Sequence, residues 1–350
     1  MIDLDDASAL TAADPAGMLQ SIGRLGPQCR TGYEIGRSVE PLTGGRPLAM
    51  VFCGMGGSGV AGEVVSAVFA DLVAVPVVVV RGADLPAFCG PTTLVVASSY
   101  SGETSETRGA LEDAVRRGCR VVAIASGGPL LDRARDVGAV AVRLPGGLMP
   151  RAAFGLLVFA ALGVVETAGA VPDLGGEIAA ATAELDDVTA TLGPSAPTAV
   201  NEAKRVALEI GSRVPVVWGQ GLAAAAAGRW KTQMNENAKV PAMASVLPEL
   251  DHNEVVGWSA GTGAGFAVVA LRHEGERSDD AARFRPSLEI AADAGAQTTE
   301  IWARGDSALS RFLSLVAIGD HASTYLAALR GVDPTPIEAI VRLKQALARG

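Results

Sequence analysis

The chain is poor in lysine, histidine, cysteine and long apolar runs, and each shortage narrows what it can be. Only Lys204, Lys231, Lys239 and Lys344 stand beside 25 arginines, and 38 acidic residues leave a net charge of −9. No chain-wide positive field is available to hold DNA or RNA, so nucleic acid is not an expected partner. The three histidines, His252, His273 and His321, are not paired at ligand spacing, which argues against a zinc site. The four cysteines, Cys29, Cys53, Cys89 and Cys119, lie 24, 36 and 30 residues apart. Without metal-ligand spacing they read as reduced cytosolic thiols. No run of eighteen apolar residues occurs; stretches such as Leu156–Val165 are too short to span a bilayer, and the acidic start Met1-Ile-Asp-Leu-Asp-Asp6 is unlike a signal peptide. The expectation is a cytoplasmic protein with no membrane partner. At 350 residues, 49% hydrophobic and 19% charged, the chain is long enough for two domains with sizeable cores.

What is plentiful is glycine, 42 residues against an average near 7%. After a mostly helical segment, residues 1–45, closed by a turn over Pro41–Pro47, strands and helices alternate. Apolar runs of strand length occur at Pro47–Cys53, Val75–Val80, Thr93–Ala97, Arg120–Ala125 and Ala139–Leu144, with helical spacing between them. The β-branched run Val75–Val80 reads as a parallel strand covered on both faces. Gly147–Thr167 reads as an apolar helix and Glu177–Leu192 as an exposed one, with Gly193–Thr198 as a joint between domains and Asn201–Ile210 as a helix leading onward. The pattern then restarts with Arg213–Trp218, the break Gly219-Gln-Gly221, the helix Leu222–Asn237, and strands at Val240–Leu247, Gly265–Leu271 and Thr298–Ala303. The first strand, its glycine turn and its helix recur about 165 residues later, as in an internal duplication. The expected fold is α/β, with two doubly wound domains of parallel sheets flanked by helices.

Two loops of the first half are candidates for chemistry. Gly54-Met-Gly-Gly-Ser-Gly59 satisfies G-x-G-x-x-G between a strand and a helix, the setting of a dinucleotide-binding turn. With Arg81 as reader of a 2′-phosphate, it allows an NADP-dependent oxidoreductase; a tight turn that needs glycine for its backbone alone is the other reading. Ser98-Ser-Tyr-Ser-Gly-Glu-Thr104 ends the third strand and opens a helix. Ser99, Ser101 and Thr104 surround Gly102 beside helix N-terminal amides, an arrangement that cradles a phosphate monoester.

Ser99–Thr104 resembles the phosphosugar-binding loop of sugar isomerase (SIS) domains, and Gly54–Gly59 resembles their first loop. Gln233-Met-Asn-Glu-Asn237, Leu247-Pro-Glu-Leu-Asp-His-Asn-Glu254 and Gly331-Val-Asp-Pro-Thr-Pro336, running on to Leu343-Lys344, resemble motifs of the bifunctional phosphoglucose/phosphomannose isomerase family. These motifs keep the family's order over nearly the whole chain. The resemblance implies two SIS domains, 46–165 and 206–350, the second with a C-terminal helix, joined by a helical connection at 166–205. It implies an aldose–ketose isomerase acting on glucose 6-phosphate, mannose 6-phosphate and fructose 6-phosphate through an enediolate, with no metal or redox cofactor. Glu236 is then the base and His252 the ring-opening acid/base, reaching the neighbouring subunit's site in a homodimer. Arg151, in Pro150–Gly155, stands near the enediolate, and Lys344 is an active-site lysine. Gly56, Gly57, Ser58, Ser99, Ser101 and Thr104 bind the phosphosugar, with Thr335 contacting a sugar hydroxyl. His273 and His321 match no motif and read as structural. One departure is Glu103, where the family's loop usually has asparagine; beside a phosphate it motivates a second reading, a phosphosugar sensor without efficient turnover.

Overall fold

The fold is taken from a computed structural model that describes residues 2–40 and 42–347. Pro41, which opens the turn expected before the first strand, lies outside them, as do Met1 and 348–350. Three N-terminal helices, α1 (Ala7–Ala13), α2 (Met18–Ile22) and α3 (Leu25–Arg37), precede the alternation. The first half then runs β1 (Ala49–Cys53), α4 (Val60–Val68), β2 (Val77–Val80), β3 (Thr93–Ser98), α5 (Ser105–Arg116), β4 (Arg120–Ala125), α6 (Pro129–Asp136) and β5 (Val140–Arg143). Helices α7 (Phe154–Thr167), α8 (Gly175–Leu192) and α9 (Glu202–Ile210) connect the halves. The second half runs β6 (Val214–Gly219), α10 (Leu222–Glu236), β7 (Met243–Val246), β8 (Phe266–Arg272), α11 (Ser278–Asp293) and β9 (Gln297–Trp302), and closes with α12 (Ala308–Leu329) and α13 (Glu338–Leu347).

All nine expected strands form, and every pairing among them is parallel. The five-stranded sheet has the order β2-β1-β3-β4-β5 and the four-stranded sheet β7-β6-β8-β9. Val51 faces Val78 and Val95 across β1, as Val217 faces Ala244 and Val269 across β6. The first strand of each half is therefore followed in space on both sides, which places a switch point at the carboxyl ends of β1 and β3, and another at β6 and β8. The strand order, not only the spacing, repeats between the halves.

The central strands β1 and β3 are buried along their whole length. The expectation for β2 needs correcting, because it is an edge strand whose four valines are only half-buried. Between the sheets lies a shared helical core. Phe154–Val165 of α7 is buried throughout, as is nearly all of α12. The stretch Pro150–Thr167, α7 with the 3-10 turn before it, and α12 are long and apolar enough to cross a membrane by composition, yet 83% and 94% of their apolar windows are buried. At about 1.5–3 kcal/mol per fully buried large apolar side chain, these two helices are a major source of stability. Glycine brings α3 against α7. A Cβ on Gly36 would lie 2.2 Å from the Ala160 carbonyl oxygen, and one on Gly163 would lie 2.6 Å from the Arg37 amide.

Two connecting segments differ from expectation. Helix α8 is not wholly exposed: Ile178, Ala181, Leu185, Val188 and Leu192 are buried along one stripe. The helix expected over 147–167 begins only at Phe154, after a loop and a 3-10 turn, Pro150–Ala153. The joint at 193–198 is pinned from within. Lys204 is fully buried, and its ammonium donates to the carbonyls of Pro194 and Ala196 and to Asp5 at 2.8–3.1 Å.

Candidate active site

The glycines after β1 and β6 allow each strand to meet its following helix closely. A Cβ on Gly54 would lie 2.8 Å from the Ser58 carbonyl oxygen, and one on Gly219 would lie 2.4 Å from that of Ala223. In the first half the turn continues as a 3-10 segment, Gly56–Gly59, with Gly56 in the left-handed region. Gly57 backs onto Arg151, whose Cα would be 3.7 Å from a Cβ placed there. The Ser58 hydroxyl accepts from the Tyr100 amide at 3.3 Å, which joins the two loops. Arg81 is ion-paired with Glu63 of α4, so the guanidinium proposed to read a 2′-phosphate already has a carboxylate partner.

The second loop is ordered from both sides. Ser99 and Thr104 hydroxyls meet at 2.9 Å across it, and the exposed Ser101 accepts the Glu103 amide at 3.3 Å. Gly102, with φ +72°, packs so tightly that a Cβ would lie 2.0 Å from the Gly127 carbonyl oxygen. The Glu103 carboxylate sits against Gly128 at the start of α6, 3.4 Å from where a Cβ there would stand. The first-turn amides of α5 have no preceding helical carbonyl to bond, and these hydroxyls lie beside them, donor types suited to a phosphate.

Arg151 is the centre around which both halves converge. It lies in the 3-10 turn after β5 and is 3% exposed. Its Nε donates to Asn237 Oδ1 at 2.6 Å, Nη1 to Glu236 Oε2 at 3.4 Å, and Nη2 to the carbonyls of Pro334 and Thr335 at 2.6 and 2.8 Å. Burial pulls this guanidinium below the usual arginine range, while Glu236 and Asp333 oppose the shift. Glu236 ends α10, and its side chain remains 28% exposed, open to ligand. The arrangement is a carboxylate that can accept a proton, held against a fixed cation that can stabilise an adjacent oxyanion.

A second layer fixes Arg151. Arg229, seven residues before Glu236 on α10, donates to the Arg151 carbonyl at 3.0 Å and to Asp320 of α12 at 2.6 Å, and stacks on Phe154 at 4.2 Å. The pair is almost completely buried. Asn237 in turn donates to Ser323 of α12 at 2.9 Å. Losing one member of such a buried pair costs about 3–5 kcal/mol.

A cleft of about 580 Å³ opens beside this cluster, lined by Glu236, Lys239, Asp333, Pro336, Glu338 and neighbouring apolar residues. Thr335 reaches the cluster through its carbonyl, while its hydroxyl is buried with no hydrogen-bond partner among the described residues. Lys344 lies on the exposed helix α13. The Glu106 carboxyl, in the first turn of α5, is held below its ordinary range by its own amide and Ser105, with a smaller pull from Lys344. Lys344 thus lies within electrostatic reach of the first turn of α5.

The structure brings Glu236, Arg151 and Thr335 together, with Gly57 behind them; Ser58 joins the second loop, and Lys344 approaches its helix. His252 stands apart. It is exposed in a 3-10 turn, Glu249–His252, after β7, and the cleft's lining does not include it. Asp251 beside it is held by Arg283 and Ser287, and Glu254 by Ser245. His321 is buried in α12 with its Nδ1 2.8 Å from the Ala317 carbonyl oxygen, and burial pushes its imidazole below the ordinary histidine range. His273 is buried at the end of β8. Sequence reasoning assigned no role to Arg229, Asp320 or Lys239. The first two are 91 residues apart and carry no spacing signal; the scarcity of lysine was the one available pointer to the third.

Residues 199–347 match the family model described as the bacterial phospho-glucose isomerase C-terminal SIS domain. The bifunctional phosphoglucose/phosphomannose isomerase of Caldicellulosiruptor bescii is 35% identical over 341 residues, covering 95% of this chain and 99% of that protein. The enzyme of the same name from Aquifex aeolicus is 34% identical over 319 residues, covering 90% and 94%. In fold, the chain resembles the crystal structure of a glucose-6-phosphate isomerase-like protein from Thermus thermophilus, with a TM-score of 0.66 at 20% identity over 96% of this chain and 99% of that one. The chain belongs to the bifunctional phosphoglucose/phosphomannose isomerase family.

Proposed function

We propose that the protein interconverts glucose 6-phosphate and mannose 6-phosphate with fructose 6-phosphate, without a metal or redox cofactor. The observation that carries this reading is the contact between Glu236, half-open at a cleft, and the buried Arg151. In the proposed reaction the Glu236 carboxylate removes the proton from C2 of the open-chain aldose and returns it to C1. The proton of the C2 hydroxyl passes to the C1 oxygen, so the C1 carbonyl becomes a hydroxyl, the C2 hydroxyl becomes the ketone, and no atom is gained or lost. Arg151 offsets the negative charge of the enediolate between the two steps.

The first domain, 46–165, holds the phosphate through Ser99, Ser101, Thr104 and the amides of α5, with Gly56, Gly57 and Ser58 shaping the adjoining wall. The second domain, 206–350, supplies the base, Thr335 for a sugar hydroxyl and Lys344 near the phosphate. Ring opening needs an acid/base near neutral pH, and this role falls to His252 of the partner subunit in a homodimer. Its exposure and its separation from the Glu236 cleft of its own chain support that assignment. The same reading places the enzyme in the cytoplasm, with no nucleic acid or membrane as partner.

A coupled assay for fructose 6-phosphate tests the proposal on both aldose phosphates. Turnover of both is expected, with no loss of activity in the presence of a chelator. Stabilisation by a phosphosugar without turnover would favour the sensor reading that Glu103 motivates. Saturable nicotinamide binding would overturn the assignment of the first loop.

A further inference from the structure

Lys239 is the one non-glycine residue with a left-handed backbone among those described, at φ +55°. L-residues rarely adopt this conformation, and where a structure holds one there the surroundings over-determine it. What holds it is its ammonium. Lys239 Nζ donates to the carbonyl of Glu236 at 2.5 Å and to that of Pro334 at 3.1 Å. The first is one of the carbonyls left without a partner at the end of α10, where a cation also suits the helix dipole. The second is the carbonyl that Arg151 Nη2 already reaches.

Two cations therefore converge on Pro334, and each disfavours the other. Burial first, and then Arg151, pull the Lys239 ammonium below the usual lysine range, against Asp333, Glu236 and Glu338. A contact that gathers two like charges is retained only if the groups around it offset the repulsion. Here the compensation is geometric. Arg151 also bridges Glu236 and Pro334, but it meets Glu236 at the carboxylate, whereas Lys239 bridges the two main-chain carbonyls.

We infer that Lys239 is a positioning residue that ties the backbone of Glu236 to the 333–336 segment, so that Glu236, Arg151 and Thr335 keep one fixed arrangement. The inference rests on the isomerase reading for its catalytic consequence, but the tie itself is a property of the fold. Segment 333–336 leads directly into α13, which has no buried residue of its own. The tie is thus also an anchor for the helix that carries Lys344.

The test compares Lys239→Gly with Lys239→Arg. Glycine accepts the left-handed backbone without strain and removes the cation; arginine keeps a cation long enough to reach both carbonyls. In the glycine variant kcat for glucose 6-phosphate is expected to fall about 10- to 100-fold through misplacement of the base. KM is expected to change less, because the phosphate loop is untouched, and arginine should recover most of the loss. Amide hydrogen exchange of residues 332–340 should quicken in the glycine variant and return toward wild type in the arginine variant. Wild-type kcat and exchange in the glycine variant, or equal damage by both substitutions, would overturn the inference. Should the wild-type enzyme turn over no phosphosugar, the isomerase reading fails, and the exchange comparison still decides whether the tie exists.

Discussion

The two halves share one strand order but end their third strand in opposite ways. In the first half β3 runs into Ser99–Thr104, where small hydroxyls and Gly102 precede the N-terminal amides of α5. In the second half the corresponding strand, β8, ends in Arg272 and leads into His273–Arg277. There Arg272 is bonded to Glu276 and Glu300 and stacked between Phe284 and Trp302 at 4.1 and 4.7 Å. A loop closed by its own carboxylates repels an anion, whereas a loop of hydroxyls and free amides receives one. The duplicated frame has been divided between two tasks. In the proposed reading one copy receives the phosphate, and the other uses the end of its first helix, α10, to present the base.

This contrast can be broken first at the base and at Arg151, the first-half residue that meets it. Glu236→Gln removes the proton acceptor while keeping shape, and kcat should fall by about 10²- to 10⁴-fold with little change in fructose 6-phosphate binding. Replacing Arg151 with lysine keeps charge but loses the fork that grips Asn237 and the 334–335 carbonyls. A loss near 10²-fold in kcat is expected, accompanied by a lower Tm because several buried acceptors lose their donor.

The Ser99–Thr104 loop should respond in KM instead. Thr104→Ala removes one hydroxyl from the phosphate-type loop, and KM should rise by about tenfold, the equivalent of one hydrogen bond to a charged group; an equal fall in kcat at constant KM would move this loop out of the phosphate role. Glu103→Asn should act in the other direction and more weakly. A lower KM by about two- to fivefold is expected from removing a like charge near a phosphate, and no change would mean that the carboxylate against Gly128 is too far away to matter. Arg272→Met, finally, should lower Tm without altering KM for any phosphosugar. A rise in KM there would show that the second loop also contacts substrate.

Much of the fold was legible in the residues. Strands β1 and β3 were visible as apolar runs because both faces are buried, and the turn after β3 was marked by the local Ser99–Thr104 pattern, within six residues. Glu236 was marked by the Asn235-Glu-Asn237 motif. The edge position of β2 was not legible, since four valines read the same in the centre or at the margin of a sheet. Nor was the purpose of the excess glycine fully apparent. Gly56 and Gly102 take left-handed φ in the loops, but Gly36 and Gly163 let two helix backbones approach, a demand set by tertiary packing. The support around Arg151 was hidden for the same reason. Arg229, Asp320 and Ser323 meet it only after α10 and α12 pack, and no spacing along the chain announces that contact.

The division of labour itself is tested most directly by setting Glu236→Gln beside Thr104→Ala in one experiment. Stabilisation by fructose 6-phosphate and kcat for glucose 6-phosphate would be measured on each. The expected result is a crossing: Glu236→Gln keeps the ligand-induced rise in Tm and loses turnover, while Thr104→Ala loses much of the rise and keeps kcat at saturating substrate. Glu236→Gln with wild-type kcat, or both variants losing binding and turnover together, would contradict it.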